Sequence, residues 1–139
     1  MRNTNSRNVK NEINNIQKLS LKLIHEISDV KCETFTSGAR NVNYLFRTAD
    51  LYFYENAFLV VGFFKIGKYK FYRSALLFSN NEILKNNKQS IKIISPKSMN
   101  LNSFNKDVYI EFGESNFTNT NVEIRIKNLK EEDKNLLKI

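Results

Sequence analysis

The spacing of apolar side chains changes near Asp29, and this change limits the folds that the chain can adopt. After that residue apolar and polar residues alternate, most clearly around Val108, Ile110 and Phe112. A period of two is typical of strands that bury one face of a sheet. Short turn signals between the strands favour antiparallel hairpins. The sequence therefore predicts an antiparallel sheet over residues 30–127.

Seven segments carry the strand pattern. Gly67 lies in the tightest turn between them and can supply the positive φ that a two-residue hairpin requires. The polar residues 114–121 predict a loop before the last strand. The predicted strands span residues 30–36, 51–54, 58–64, 69–78, 91–94, 108–112 and 122–127.

Both ends of the chain predict helices. Residues 9–27 carry apolar side chains at helical spacing, with Asn8 as the N-cap and residues 1–8 as a polar tail. We expect this helix to pack on the domain's own core, and a membrane surface or a dimer contact remains open. Residues 130–139 predict a short terminal helix, because its first turn carries Glu131, Glu132 and Asp133.

These elements predict an α+β, mostly β fold in a single domain, 1–139. An N-terminal helix precedes an antiparallel small barrel or sandwich of about six to eight strands. The order of strands 51–54, 58–65, 70–78, 91–94, 108–112 and 122–127, followed by the helix from Lys130, resembles the pleckstrin-homology-like superfold, in a divergent bacterial form. The resemblance implies a non-catalytic interaction or scaffold module.

Catalytic residues are scarce in this sequence. Cys32 is the only cysteine and His25 the only histidine, which excludes an internal disulfide and a histidine metal site within the chain. A Cys32–His25 pair is disfavoured, because lone cysteines are usually buried as small apolar residues. Glu111 and Glu123 are expected to be neighbours on a solvated sheet face. We therefore expect no enzyme activity and no cofactor.

Positive charge is uneven along the chain. The formal net charge is +8, and residues 65–106 hold nine basic residues against one acid, Glu82. The densest part is the hairpin at residues 65–73, and its candidate anion-binding residues are Lys65, Lys68, Lys70 and Arg73. In the resemblance, Lys65 and the Lys68-x-Lys70 pair match the basic residues of the first-hairpin loop of phosphoinositide binders. A solvated edge that prevents strand pairing is the alternative.

Three functions remain open at this point. The first is a module that binds a protein or an anionic, phosphate-bearing surface. The second is a nucleic-acid-binding protein that stacks bases on Tyr69 or Tyr72, although alternation places Tyr69 and Phe71 on one face that we expect to be core. The third is a small enzyme of unknown reaction. No apolar run reaches the about 20 residues of a membrane helix, and we expect an Asn-rich, basic, cytoplasmic protein without a signal peptide.

Overall fold

One long strand joins the two halves of the fold. The structure is a computed structural model and describes residues 2–38, 44–87, 91–115, 119–137 and 139. A short 3₁₀ turn, Phe104–Lys106, precedes the seventh strand. The helices and strands, in chain order, are α1 (Arg2–Gln17), β1 (Leu23–Gly38), β2 (Thr48–Tyr54), β3 (Ala57–Ile66), β4 (Tyr69–Phe78), α2 (Glu82–Lys85), β5 (Ile93–Ile94), β6 (Ser98–Asn100), β7 (Val108–Ser115), β8 (Asn119–Ile126) and α3 (Glu131–Lys134).

The strands form one curled sheet, a half-barrel, in the order β5-β4-β3-β2-β1-β8-β7-β6. Neighbouring strands pair antiparallel, except that β4 and β5 share a two-residue parallel ladder. The mostly β architecture with short terminal helix is therefore confirmed.

Strand β1 changes partner halfway along its length. Its first half pairs with β2 as far as Lys31, and its second half pairs with β8 from Cys32 onward. An extra residue lies between Ile27 and Val30, where Asp29 has a φ of 57°. This bulge bends β1, because an extra residue on one strand increases the local twist.

Two apolar clusters pack on opposite sides of the sheet. The cluster inside the curl contains the aromatic residues Phe53, Phe58, Phe78 and Phe112, all at most 1% exposed. The second cluster covers the outer face of β2, β3 and β4, where Val9 and Ile16 of α1 pack on the sheet residues Tyr54, Ala57, Leu59, Val61 and Leu77. The expectation that the N-terminal helix packs on its own domain is confirmed.

The extent of the N-terminal helix was predicted wrongly. Helix α1 covers residues 2–17, so most of the expected tail is helical, and residues 23–27 belong to β1. Ser20 has a φ of 56°, which interrupts a helix. Leu23 and Ile24, expected to be apolar contacts of the helix, are 47% and 45% exposed on the strand. Pairing with β2 outweighs the helical spacing, because a helix here would leave the edge of β2 without backbone hydrogen-bond partners.

Other boundaries also differ from the prediction. The terminal helix has four residues, 131–134, and its buried Lys134 donates hydrogen bonds to the side-chain oxygen of Asn102 and the carbonyl of Lys106. The sequence missed α2 and β6, which have four and three residues. Strands β7 and β8 extend into the predicted loop at 114–121, and residues 116–118 of that loop lie outside the described residues.

Candidate interaction surface

The β3–β4 hairpin ends in a two-residue turn, Gly67-Lys68, that closes the pair Ile66 and Tyr69. Gly67 has a φ of 61°, as the sequence predicted. Side chains alternate between faces along a strand, so the cross-strand pairs Phe64–Phe71 and Lys65–Lys70 lie on opposite faces. The hairpin therefore has an aromatic face and a basic face, which we define by those two pairs.

On the basic face, Lys65 and Lys70 lie directly across from each other. Like charges in this position repel, and two carboxylates compensate for the repulsion. Asp29 Oδ1 lies 3.2 Å from Lys65 Nζ and 3.6 Å from Lys70 Nζ. Asp50 accepts hydrogen bonds of 3.0 and 3.2 Å from Lys70 Nζ. The two lysines predicted to bind an anion already have carboxylate partners.

Lys70 is the more firmly held of the two lysines. Its ammonium lies 4.5 Å from the centre of the Phe63 ring, which is completely buried. Partial burial lowers the pKa of Lys70, but the hydrogen bond to Asp50 and the charges of Asp50 and Asp29 outweigh it and hold the pKa above its usual value. The hydrogen bond from Lys65, followed by the charges of both lysines, lowers the pKa of Asp29. The contacts therefore favour the charged forms of Lys70 and Asp29.

On the aromatic face, Phe64 and Phe71 stack with ring centres 5.3 Å apart. The Arg73 guanidinium lies 4.8 Å from the centre of the Phe64 ring. The ladder shifts between Gly62, which pairs with Ser74, and Phe63, which pairs with Tyr72. Arg73 is therefore the extra residue of a bulge, and the bulge allows its side chain to reach the aromatic face.

The hairpin tip, residues 66–69, is the most exposed aromatic and apolar part of the hairpin. Ile66 is 61% exposed and Tyr69 is 74% exposed. By alternation both continue the aromatic face. Lys68 is exposed in the turn and forms no ion pair with any residue in the part of the chain that the structure describes. The tip thus combines two exposed apolar side chains with a free ammonium group.

A groove of about 730 Å³ runs beside the aromatic face. It separates β3 and β4 from the second half of β1, and Phe35, Arg47, Phe64 and Arg73 are among its lining residues. Thr34 Oγ1 hydrogen-bonds to the backbone of Phe46 in the wall of the groove. The groove places one more cation, Arg47, on the side of the hairpin that carries Arg73.

The four predicted anion-binding residues do not form one site. Lys65 and Lys70 share the basic face, Lys68 lies in the turn, and Arg73 lies on the aromatic face. The position of the hairpin also corrects the sequence interpretation. Two strands, β1 and β2, precede β3, so this hairpin is the β3–β4 connection and not the first hairpin of the sheet.

The candidate catalytic residues are also placed by the structure. His25 and Cys32 both lie on β1, seven residues apart, which is about 20 Å along a strand. His25 lies on a strand and not on a helix as expected, and its Nε2 is 3.5 Å from Asp133 Oδ1. Burial raises the pKa of the Cys32 thiol to about 12, so the nucleophilic thiolate is strongly disfavoured. Glu111 and Glu123 are cross-strand neighbours, as expected.

Sequence reasoning missed three features of this surface. Asp29 and Asp50 were not recognised as partners of the lysines. Tyr69 was expected in the core, yet it is largely exposed. The exposure of Tyr69 could have been predicted from its position next to the turn, because the strands end there and no third strand covers the Ile66–Tyr69 pair.

No protein-family model, curated protein or solved structure matched this chain. Among the described residues, no helix combines the length and apolar character needed to cross a membrane.

Proposed function

We propose that this protein is a non-catalytic interaction module of pleckstrin-homology-like type that binds an anionic, phosphate-bearing surface through the hairpin tip. The observation that carries the proposal is the exposure of Ile66 and Tyr69, 61% and 74%, on either side of Lys68, which forms no ion pair with a described residue. Exposed apolar residues beside a cation at the end of a hairpin favour a contact that buries the apolar side chains and pairs the cation with an anion.

The strand order supports the pleckstrin-homology-like part of the proposal. The meander β4-β3-β2-β1 continues through the shared strand β1 into β8, β7 and β6, and α3 follows the last strand. The element order inferred from the sequence differs in two places: it began the meander at residues 51–54, whereas β1 leads it, and it put residues 91–94 in the second half, whereas β5 lies beside β4. The extra helix α1 covers the outer face of the first half of the sheet.

An acidic membrane surface fits the chemistry of the tip. Tyrosine side chains favour the headgroup region, because the ring is apolar and the hydroxyl group is polar. A lysine near an acidic bilayer contributes about 1 kcal/mol. Lys68 and Tyr69 are adjacent in the chain, so one approach of the tip brings both into the headgroup region.

Sedimentation with vesicles tests this function. We expect binding to vesicles that contain phosphatidylserine and no binding to pure phosphatidylcholine vesicles at low salt. Lys68→Ala should weaken binding about fivefold, which corresponds to one lost cation. Ile66→Asn should weaken it at least as much, because the apolar side chain no longer enters the bilayer.

Two matched controls lie at the opposite end of β3 and β4. Ile83, on α2, is 83% exposed, and Lys22 is exposed before β1, where its carbonyl accepts the N–H of Glu55 in the β2–β3 turn. Ile83→Asn and Lys22→Ala should leave vesicle binding unchanged. Equal effects of tip and control variants, or no binding by the wild type, would overturn the proposal.

Single-stranded nucleic acid is a second candidate, and the exposure of Tyr69 favours it. An exposed aromatic ring beside lysine can stack a base, which is worth about 1–3 kcal/mol. This candidate predicts that affinity for single-stranded DNA and RNA falls steeply as salt rises and that Lys68→Ala flattens the slope. Binding to oligonucleotides without binding to acidic vesicles would favour this candidate over the membrane surface.

The proposal includes no catalysis, no cofactor and a cytoplasmic location. The buried thiol of Cys32, with its pKa raised to about 12 by burial, supports a structural role for this cysteine. A free thiol is also typical of proteins in reducing compartments.

A further inference from the structure

Asp29 and Asp50 hold the two lysines of the basic face in different ways. Asp50 accepts two hydrogen bonds from Lys70, and its side chain is only 8% exposed. Asp50 Oδ1 also accepts the backbone N–H of Asp29 at 3.0 Å. The Asp50–Lys70 pair is therefore part of the packing of the hairpin against β1 and β2.

The contact between Lys65 and Asp29 is exposed. Both side chains are 47% exposed, and Asp29 is the only carboxylate that pairs with Lys65 among the residues described. Exposed pairs of this kind contribute little to stability and exchange readily with other charged groups. A phosphate oxygen offers Lys65 the same type of hydrogen-bond acceptor.

The backbone fixes where the Asp29 carboxylate lies. Asp29 is the bulge residue with a φ of 57°, and its N–H is held by Asp50. The Asp29 carboxylate is therefore already held beside Lys65, and their contact requires no further ordering of the backbone. An anionic ligand must displace this carboxylate before Lys65 can contribute to binding.

We propose that Asp29 acts as an internal competitor that occupies Lys65 until an anionic group of the bound surface replaces it. This inference rests on the proposed function and adds its regulation. Lys65 is the exchangeable cation of the hairpin, and Lys70 is a structural one. Asp29 thereby limits the affinity of the hairpin for anionic surfaces.

The test compares two charge-neutralising variants of β1. Asp29→Asn removes the competing charge, and asparagine tolerates the positive φ at this position. Glu26→Gln is the matched control, because Glu26 is an exposed acid on the same strand that forms no ion pair with a described residue. The double variant Asp29→Asn/Lys65→Ala tests whether any gain in affinity for vesicles depends on the Lys65 side chain.

We expect Asp29→Asn to bind phosphatidylserine vesicles about fivefold more tightly than the wild type, the effect of one additional available lysine. Glu26→Gln should give a clearly smaller gain, and the double variant should lose the gain. Without vesicles, acylation of the Lys65 amine, measured by mass spectrometry, should be faster in Asp29→Asn than in Glu26→Gln.

The outcomes separate this inference from the proposed function. Equal vesicle affinities of Asp29→Asn and Glu26→Gln, with binding by the wild type, overturn the inference and leave the function standing. Equal acylation of Lys65 in the two variants overturns the inference whatever the vesicles show. Absence of vesicle binding by every variant, the wild type included, overturns the proposed function and with it the role of Asp29.

Discussion

On the outer sheet face, Tyr109 and Glu123 form a hydrogen-bonded pair. The Tyr109 hydroxyl donates a 2.6 Å hydrogen bond to Glu123 Oε1, and Asn121 Nδ2 donates a 2.7 Å bond to Glu111 Oε2. Each of the two neighbouring carboxylates thus has its own neutral donor.

The pKa of Tyr109 should depend on its contact with Glu123. The hydrogen bond to Glu123, followed by burial and the charge of Glu123, raises the pKa of Tyr109 from 10.0 to about 12. Glu123→Gln should lower the pKa toward 10.0, because both the charged acceptor and its repulsion of the phenolate are lost. NMR titration of ring-labelled tyrosine measures the shift.

Because folding raises the pKa of Tyr109, the stability of the protein depends on pH in the alkaline range. A group with a higher pKa in the folded state contributes stability that is complete below its unfolded pKa, near 10, and is lost as pH rises toward 12. The wild type should therefore lose more stability than Glu123→Gln over this range. A Tyr109 pKa that is the same in both proteins would contradict the assignment.

At the scale of elements, the close contact between β3 and the segment before β2 depends on Gly62. A Cβ at this position would overlap the ring of Phe46, which is 5% exposed in the core. Gly62→Ala should lower the free energy of unfolding by about 1–3 kcal/mol, as overpacking of a core usually does. Urea denaturation measures the change.

Gly113 on β7 is the matched control. A Cβ there would lie 2.8 Å from the end of the Lys97 side chain, which is flexible and can move away, and 3.9 Å from the Thr120 carbonyl oxygen, an ordinary contact. Gly113→Ala should therefore change stability by less than about 0.5 kcal/mol. An equal loss in the two variants would show that the Phe46 contact is not the reason for glycine at position 62.

The sequence predicted the strands better than their boundaries. Strands β4, β7 and β8 were predicted from alternation, and β3 was predicted as a short run that is apolar on both faces, which its burial confirms. The start of β1 was missed because residues 18–27 also fit a helical stripe, and only pairing with β2 decides between the two. The missed elements α2 and β6, of four and three residues, depend on tertiary contacts that no local pattern records.

The candidate site was predictable in part for the same physical reason. The lysine-rich hairpin was visible as a local run, and its two-residue turn was visible at Gly67. The carboxylates that neutralise the hairpin were not visible in the sequence. Asp50 lies 20 residues from Lys70 in the chain, and Asp29 lies in a bulge of another strand. Charge density along a sequence therefore overstated the free positive charge of the folded hairpin.

For the whole molecule, the proposed interaction surface lies at the end of the half-barrel that carries the hairpin tip. The formal net charge of +8 is not concentrated there, since Asp29 and Asp50 pair with Lys65 and Lys70. In the proposed function, recognition at this end combines Lys68 with the exposed side chains of Ile66 and Tyr69, and the nearby groove is lined in part by Arg47 and Arg73.

The chain contains no tryptophan, so a single Tyr69→Trp substitution makes the hairpin tip the only source of tryptophan fluorescence. Phe104→Trp is the matched reporter, because Phe104 is 77% exposed before β7, at the opposite end of the strands. With phosphatidylserine vesicles, the emission of Tyr69→Trp should shift to shorter wavelength and that of Phe104→Trp should stay unchanged. A shift of Phe104→Trp alone, or of neither reporter, would contradict the account.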